Sequence, residues 1–347
     1  MGGTRLFVAG HPEFKNVVRW SNVNDSSYFL ENNFSYVGRD DEEITALNKQ
    51  DGYLVVFKER ELYALEYTYT TDAQDKALVY FPITPISPQI GCDCPDTIQL
   101  VANRLTWLSS EGKVYTLYSA NSYSERNVRE LSQHIENDLR TFSKEELQNA
   151  KSVDYDNNYI IFIGKTAFIW NYDVNPFYNY TSSEQAQKRL AWFKWEFPYD
   201  VEYTYNVNGQ LVVICGDGYG GYQGYTLDYV ANYDEMMGDV ASKLIYSGIK
   251  SKLFDFGKPF TFKRISKAFL EVVAEHQGDL KVNFYTDNGV DDHPVTLSTI
   301  HNTADFWTYS LRPYLRRVRS AGFEIISKTP FKLLSASIIA EIYGEVK

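Results

Sequence analysis

The sequence is poor in the residues that do redox, metal and nucleophilic chemistry. It has 3 Cys, 3 Met and 5 His in 347 residues. So few cysteines exclude a disulfide-stapled fold and a Cys-rich metal fold. Basic surplus is missing too: 34 Lys and Arg stand against 45 Asp and Glu, a formal net charge of −11. Duplex binding without sequence preference needs clustered cations, so an acidic chain with no basic run is a poor candidate for it. No apolar run approaches the length of a membrane span. Leu6-Phe7-Val8-Ala9 is too short for the apolar core of a signal peptide, so no targeting segment is expected.

What is abundant is aromatic. Tyr and Phe number 28 and 21, and aromatics make up 16% of the chain. Such a composition leans towards sheet. With 44% apolar and 23% charged residues, a folded core is expected rather than disorder.

A long repeat organises the first two thirds. Five apolar runs, Leu6-Phe7-Val8, Leu54-Val55-Val56-Phe57, Leu105-Thr106-Trp107-Leu108, Ile160-Ile161-Phe162-Ile163 and Leu211-Val212-Val213-Ile214, begin 48, 51, 55 and 51 residues apart. Four follow a turn pair: Asp51-Gly52, Ala102-Asn103, Asn157-Asn158 and Asn208-Gly209. Asn, Asp and Gly accept the positive φ of tight hairpins. A second alternating strand follows each run, at residues 17–20, 62–65, 114–117, 167–170 and 225–227. A leading strand precedes four of them, at 44–47, 97–100, 151–155 and 201–205. Fourth strands are expected at 76–82 and 190–197. Four antiparallel strands repeated at this period predict β-propeller blades, because one small sheet cannot bury both its faces alone. A sandwich would repeat its strands at shorter spacing.

The first unit lacks a leading strand; either a C-terminal segment completes it or the propeller has further parts elsewhere. Residues 121–150 interrupt the third unit. There Val128, Leu131, Ile135 and Leu139 share a helical face, and Ser143 with Glu146 fits a capping box. Residues 175–187 read as a loop.

The predicted fold is all-β: a propeller domain over 1–239 with about five visible four-stranded blades, then a β-sandwich domain over 240–347. In the latter, strands are expected at 243–246, 260–265, 268–273, 280–285, 308–311, 320–326, 333–340 and 342–343. Arg312, Arg316, Arg317 and Arg319 form a local basic cluster. It reads as a solvated charged face or as a contact for an acidic partner surface.

No residue pattern demands chemistry, so no catalytic, cofactor-binding or metal-binding residue is assigned and the chain is expected not to be an enzyme. Cys92-Asp93-Cys94 lacks the second ligand pair of a zinc site, and Cys215 stands alone; all three read as packing residues. His11, His134, His276, His293 and His301 form no metalloprotease motif. There is no G-x-S-x-G. Gly216-Asp217-Gly218-Tyr219-Gly220-Gly221 lacks the G-K-[ST] of a phosphate loop and reads as a hairpin tip. The acidic run Asp40 to Glu43 reads as a solvated turn. Asp287-Asn288-Gly289-Val290-Asp291-Asp292 lacks EF-hand spacing. Sequons at Asn24, Asn33 and Asn179 carry no weight without a secretion signal. Asp154 and Glu202, on leading strands, and Asp156 and Asp217, near blade tips, are the carboxylates to weigh for a glycosidase-like site. Such a site holds two carboxylates roughly 5–9.5 Å apart. Tyr178, Tyr219 and Tyr222 are candidates for stacking on sugar rings.

A resemblance draws several segments together. Arg5-Leu6-Phe7-Val8-Ala9-Gly10-His11-Pro12-Glu13, Val18-Arg19-Trp20-Ser21, Asn24-Asp25, Tyr28-Phe29 and Tyr36-Val37-Gly38 resemble a propeller blade of bacteriophage tail proteins. The type is the nozzle or tail-tube protein of short-tailed phages and related prophages. Ile44, Leu47, Leu54-Val55-Val56-Phe57-Lys58-Glu59 and Tyr63 continue it. Ile90-Gly91-Cys92, Leu105-Thr106-Trp107-Leu108-Ser109 and Gly112-Lys113-Val114-Tyr115 resemble the next blade. Leu131-Ser132 opens a similar helical insertion. Lys252-Leu253-Phe254-Asp255-Phe256-Gly257-Lys258-Pro259 with Lys263 resembles the start of that family's closing β domain. The resemblance implies a structural virion protein of the tail, made in the bacterial host cytoplasm. Its partners would be copies of itself, neighbouring tail proteins and passing phage DNA bound without sequence preference. The alternative is a glycan-binding or glycoside-hydrolysing propeller.

Overall fold

Tight hairpins need two successive residues with positive φ, and the chain supplies such pairs at regular intervals. Asp51 and Gly52 have φ of 51° and 87°, Ala102 and Asn103 45° and 63°, and Asn208 and Gly209 53° and 81°. The third pair is Asp156 and Asn157, at 48° and 59°, one residue earlier than the sequence pattern places it. Asn158 instead opens the strand. The computed structural model describes residues 4–71, 77–119, 128–173, 190–197, 199–216, 220–226, 233–234, 243–244, 247–274, 278–290, 295–299, 307–313, 315–328 and 331–345. The chain forms two units, Met1–Leu227 and Asp228–Lys347.

In the first unit each turn pair joins two strands of a small antiparallel sheet. Sheet one holds β1 (Phe7–Val8), β2 (Val17–Trp20) and β3 (Phe34–Tyr36). Sheet two holds β4 (Ile44–Gln50), β5 (Tyr53–Lys58) and β6 (Leu62–Leu65). A separate hairpin follows, β7 (Thr68–Thr71) and β8 (Ala77–Tyr80), before β9 (Ile83–Ser87) returns to β6. The fourth strand expected at 76–82 is therefore half of this excursion. Sheet three is β10 (Gln99–Val101), β11 (Arg104–Ser109), β12 (Lys113–Leu117) and β13 (Val128–Glu130). Sheet four is β14 (Lys151–Tyr155), β15 (Asn158–Ile163), β16 (Thr166–Asn171) and β17 (Phe193–Glu196). Sheet five is β18 (Val201–Val207), β19 (Gln210–Gly216) and β20 (Tyr222–Thr226). Strand order within every one of these sheets follows the chain, as in propeller blades.

Four of the five apolar runs lie in strands that follow the turn pairs, and their alternation explains the stacking. In β15, Tyr159, Ile161 and Ile163 join the core shared with sheets two and three, whereas Ile160 and Phe162 join the core shared with sheet five. In β5, Val55 and Phe57 face sheet three, while Val56 packs with Val18 and Trp20 of sheet one. A strand buried on both faces needs no polar alternation, so it appears in sequence as a continuous apolar run. No buried cluster among the described residues joins sheet one to sheet five.

Polar rivets cross between sheets. Buried Gln50 donates through Nε2 to the Leu117 carbonyl (3.1 Å) and accepts the Leu105 N–H (2.7 Å), tying sheet two to sheet three. The Tyr159 hydroxyl donates to the Thr97 carbonyl at 2.7 Å. Trp107, fully buried, meets Phe57 edge-on at 5.2 Å and donates its indole N–H to the Gly91 carbonyl at 2.8 Å.

The 121–150 insertion is only partly helical; residues 121–127 lie outside the described set. Val128, read as helical, is in β13. The α-helical turns are α1 (Glu136–Leu139) and α2 (Lys144–Gln148), and Ser143 with Glu146 forms a complete capping box. Leu131, Ile135, Leu139 and Leu147 fill the core beside sheets three and four. The loop expected at 175–187 also falls outside the described residues.

The second unit begins with a short pair, β21 (Tyr233–Asp234) and β22 (Lys243–Leu244). One main sheet then combines β23 (Ser247–Lys250) with strands later in the chain. The other centres on β24 (Thr261–Ala274). Next come β25 (Gly278–Thr286), β26 (Gly289–Val290), β27 (Val295–Thr299), β28 (Trp307–Leu311), β29 (Leu315–Val318), β30 (Ala321–Ser327) and β31 (Phe331–Glu345). The first sheet runs β23-β30-β25-β26, with β27 also on β25; in the second, β28, β29 and β31 all pair with β24. Leu270 and Val272 of one sheet share a core with Val282, Phe284 and Ile325 of the other, which makes a sandwich. The sequence pattern divides β24 and β31 into two strands each. Both are continuous: β24 absorbs its irregular step in a bulge at Ser266, and β31 runs through Glu341, which pairs regularly with Arg264. Lys263, buried in β24, donates to the carbonyls of Lys258 (2.6 Å), Thr261 (3.0 Å) and Arg319 (2.7 Å). Three charge-assisted bonds satisfy the buried ammonium.

Trp107→Ala opens a cavity at the junction of sheets two and three and leaves the Gly91 carbonyl without its donor. Unfolding of this variant in urea is expected to show a loss of about 3–5 kcal/mol.

Candidate functional site

The leading strands β14 and β18 carry the two carboxylates that the sequence singles out. On β14, Ser152 and Val153, on opposite faces, are both buried, and Asp154 is half-buried, near the turn into β15. The Tyr172 hydroxyl donates to Asp154 Oδ1 at 2.9 Å. Burial raises the Asp154 pKa above its ordinary 3.8, and the Tyr172 bond opposes that rise. Burial, followed by the bond to Asp154, raises the Tyr172 hydroxyl in turn.

Glu202 sits differently. The register slips between Val201 and Tyr203, so Glu202 occupies a β-bulge, exposed, beside the Val201–Cys215 pair. The side-chain link between β14 and β18 is Thr204 Oγ1, 3.5 Å from the Ser152 carbonyl. Glu202 takes no part in it, and no hydrogen bond among the described residues joins Glu202 to Asp154. Of the remaining carboxylates, Asp156 serves the turn at φ 48°, and Asp217 lies outside the described residues.

An aromatic face adjoins Glu202. Alternation in β18 places Tyr203 and Tyr205 on one side, and their rings lie 6.4 Å apart at 19°. Tyr222 of β20 meets Tyr203 edge-on at 6.2 Å. All three are about half exposed or more, at 48%, 50% and 66%. Of the proposed sugar-stacking residues, Tyr222 belongs to this face, while Tyr178 and Tyr219 lie outside the described residues. Tyr203 and Tyr205 escaped the sequence reading as site residues. Their two-residue spacing was the available signal.

The cysteines are buried packing groups. Cys92 Sγ lies 3.7 Å from the Leu108 carbonyl, and the Cys92 carbonyl accepts the Thr45 hydroxyl. Burial pushes the Cys92 and Cys94 thiols far up, and Cys215 up to about 11, which keeps them protonated. Asp93 between them accepts bonds from Ser110; these outweigh its burial and keep its pKa low.

The acidic turn at Asp40–Glu43 is not wholly solvated. Glu42 is buried and pairs with Arg39 at 3.3 Å, whereas Asp40, Asp41 and Glu43 are exposed. In the 287–292 loop, Asp287 is taken by Arg319, through its backbone N–H (2.9 Å) and Nε (3.0 Å). Asp291 and Asp292 lie outside the described residues. Arg319 is thus engaged within the chain, while Arg312, Arg316 and Arg317 are exposed.

No protein-family profile matches the chain, and no curated protein does. Among solved structures it is similar to the Saccharomyces cerevisiae core factor, at 9% identity and a TM-score of 0.37, over 93% of this chain and 53% of that one. The chain therefore spans about half the length of that relative. It is also similar to an exo-β-1,3-galactanase of Phanerochaete chrysosporium with galactose. That match has 11% identity and a TM-score of 0.25, over 96% and 95% of the two chains. A Bacillus subtilis glycoside hydrolase family 43 arabinoxylan arabinofuranohydrolase in complex with cellotetraose is similar at 9% identity and a TM-score of 0.17. Coverage there is again 96% and 95%. The expectation that the chain is not an enzyme is corrected: two of the three structures it is similar to are of glycoside-cleaving enzymes, and the likeness is one of fold alone.

Asp154 generates a pH prediction. Its folded pKa lies above the unfolded value, so the native state binds the extra proton. Its contribution is fully present below the unfolded pKa and is lost as pH rises through the folded one. Asp154→Asn is expected to flatten that part of the stability–pH curve in urea titrations. In Tyr172→Phe, carboxyl carbon NMR should find Asp154 titrating at still higher pH.

Proposed function

We propose that this chain is a structural component of a bacteriophage or prophage tail, of the nozzle or tail-tube type, that assembles with copies of itself and neighbouring tail proteins around the DNA passage. The observation that carries this reading is the uncovered aromatic face of sheet five. Tyr203, Tyr205 and Tyr222 lie exposed where a blade within the stack would have a neighbour. Exposed clustered aromatics are common in surfaces that meet another protein. Val8 and Tyr36 of sheet one, and Leu6 just before it, are exposed as well. The dispersed tail-protein resemblance, from Arg5 to Lys263, supports the same reading. A net charge of −11 suits a protein past which DNA slides without sticking.

A second reading has its own observation. A half-buried carboxyl with a raised pKa at Asp154, and an exposed tyrosine face within the same unit, are the chemical elements of glycan recognition or cleavage.

Antibody raised against the chain is expected to decorate the tail of purified particles of the phage or induced prophage that carries its gene. Particles that lack the chain overturn the tail reading. On a glycan array and in hydrolysis assays, the second reading expects sugar binding that weakens at least tenfold in Tyr203→Ala, or turnover lost in Asp154→Asn and Glu202→Gln. Absence of both binding and turnover removes it.

A further inference from the structure

The last strand of the second unit is an unusually long open edge. β31 spans 15 residues, about 50 Å at roughly 3.3 Å per residue. One side pairs with β24 from Phe331 to Glu345. The other side has no partner strand among the described residues. Its outward N–H and C=O groups form a template for another strand. Natural edges are commonly blunted by proline, lysine or inward charge. The middle of β31, Ser335-Ala336-Ser337-Ile338-Ile339-Ala340, has none of these. Leu334, Ile339, Ile342 and Tyr343 are exposed. A cleft of about 460 Å³, lined by Leu253, Phe254, Phe256, Phe323, Ala336 and Ile338, lies beside the strand.

We propose that β31 pairs antiparallel with β31 of a second copy of this chain, about a two-fold axis at Ile338, to make one continuous intermolecular sheet. The sequence around the axis is self-complementary. It sets Ala336 opposite Ala340 and Ser337 opposite Ile339. Residues directly opposite in an antiparallel pair must share a face. The β24 register meets that demand. Ala336, Ile338 and Ala340 stand opposite the buried residues Leu270, Ala268 and Ile265, and Ser337 and Ile339 stand opposite Phe269 and Lys267 on the other face. Charge favours the same place. Two chains of net charge −11 repel, and the uncharged run 335–340 lets them meet where neither carries a charge. An isologous contact of this kind closes on itself as a dimer. It does not depend on the tail reading.

The test uses the full chain. Light scattering behind gel filtration should find the unmodified chain at twice its monomer mass, falling to the monomer on dilution. Ile339→Lys, at an exposed position, should give the monomer mass at every concentration, with an unchanged circular dichroism spectrum. The native thiols Cys92, Cys94 and Cys215 are buried, so a thiol added on β31 reports alone. Under mild oxidation Ile338→Cys should give a covalent dimer, because residue 338 meets its own copy at the axis. Ser335→Cys should not, because residue 335 lies about 20 Å from its copy in this register. A monomeric unmodified chain overturns the proposal. So does a dimer untouched by Ile339→Lys, or cross-linking of Ser335→Cys as ready as that of Ile338→Cys.

Discussion

A small antiparallel sheet whose middle strands are apolar on both faces must be covered twice, and most of the first unit follows from that demand. The strands after the turn pairs answer it residue by residue. Alternate side chains of β5 and β15 enter two different cores, so each sheet is bonded to its neighbours by the period of the strand itself. Hydrophobic burial supplies the drive and is indifferent to direction. The polar rivets supply the register. Gln50 bridges Leu105 and Leu117, and the Tyr159 hydroxyl reaches Thr97, so one sheet sliding against the next would strand buried donors and acceptors.

The same reasoning says what was legible. A doubly buried strand writes itself as a continuous apolar run, and a type I′ hairpin writes itself as an Asn, Asp or Gly pair. Hence the five runs, their partners and the ~50-residue period appear without any structure. Pairing choices do not. Residues 76–82 have a strand pattern, but nothing local says that Ala77–Tyr80 returns to Thr68–Thr71 and not to β6. Val128 joined a helical periodicity because Leu131 and Ile135 happen to follow it at helical spacing, although a strand ends between them. The long strands β24 and β31 were cut at Ser266 and Glu341, since a bulge and a charged residue resemble a turn in one dimension. Asp154 was visible as a carboxylate; its partner Tyr172, 18 residues on, was not. Tyr203 and Tyr205 were visible as a two-residue repeat, but their exposure depends on which face of the sheet other strands cover, and that is decided by packing between sheets.

The two fully buried lysines, one in each unit, are handled alike. Lys58, fully buried in sheet two, donates to the carbonyls of Val37 (3.3 Å) and Arg39 (2.5 Å) and lies 3.8 Å from Glu61. Lys263 does the same with three carbonyls. Each ammonium gathers main-chain oxygens that include irregular segments, at Val37 and Arg39 for Lys58 and at Lys258 and Arg319 for Lys263, so it fixes loops beside the strand that carries it. These lysines therefore act as loop anchors and not as reactive amines. The cysteines, kept protonated by burial, are equally withdrawn from chemistry. Among the described residues, what remains chemically open includes Asp154 with its tyrosine, the bulged Glu202 and the tyrosine face beside it.

Two kinds of unmet demand are left on the surface, and they differ physically. The tyrosine face of sheet five offers broad aromatic rings tipped by hydroxyls, so it suits a partner that covers the rings, whether a protein surface or a sugar ring. The free side of β31 is directional. Its N–H and C=O groups, spaced along the strand, are satisfied by water or by another extended chain, and by little else. Affinity at the face would be tuned by shape; affinity at the edge is decided by register, because a shift of one residue turns every side chain over. A sequence under pressure to stay monomeric places charge in the middle of such an edge. This one places serine, alanine and isoleucine there and keeps Lys332 and Glu341 to either side of the run.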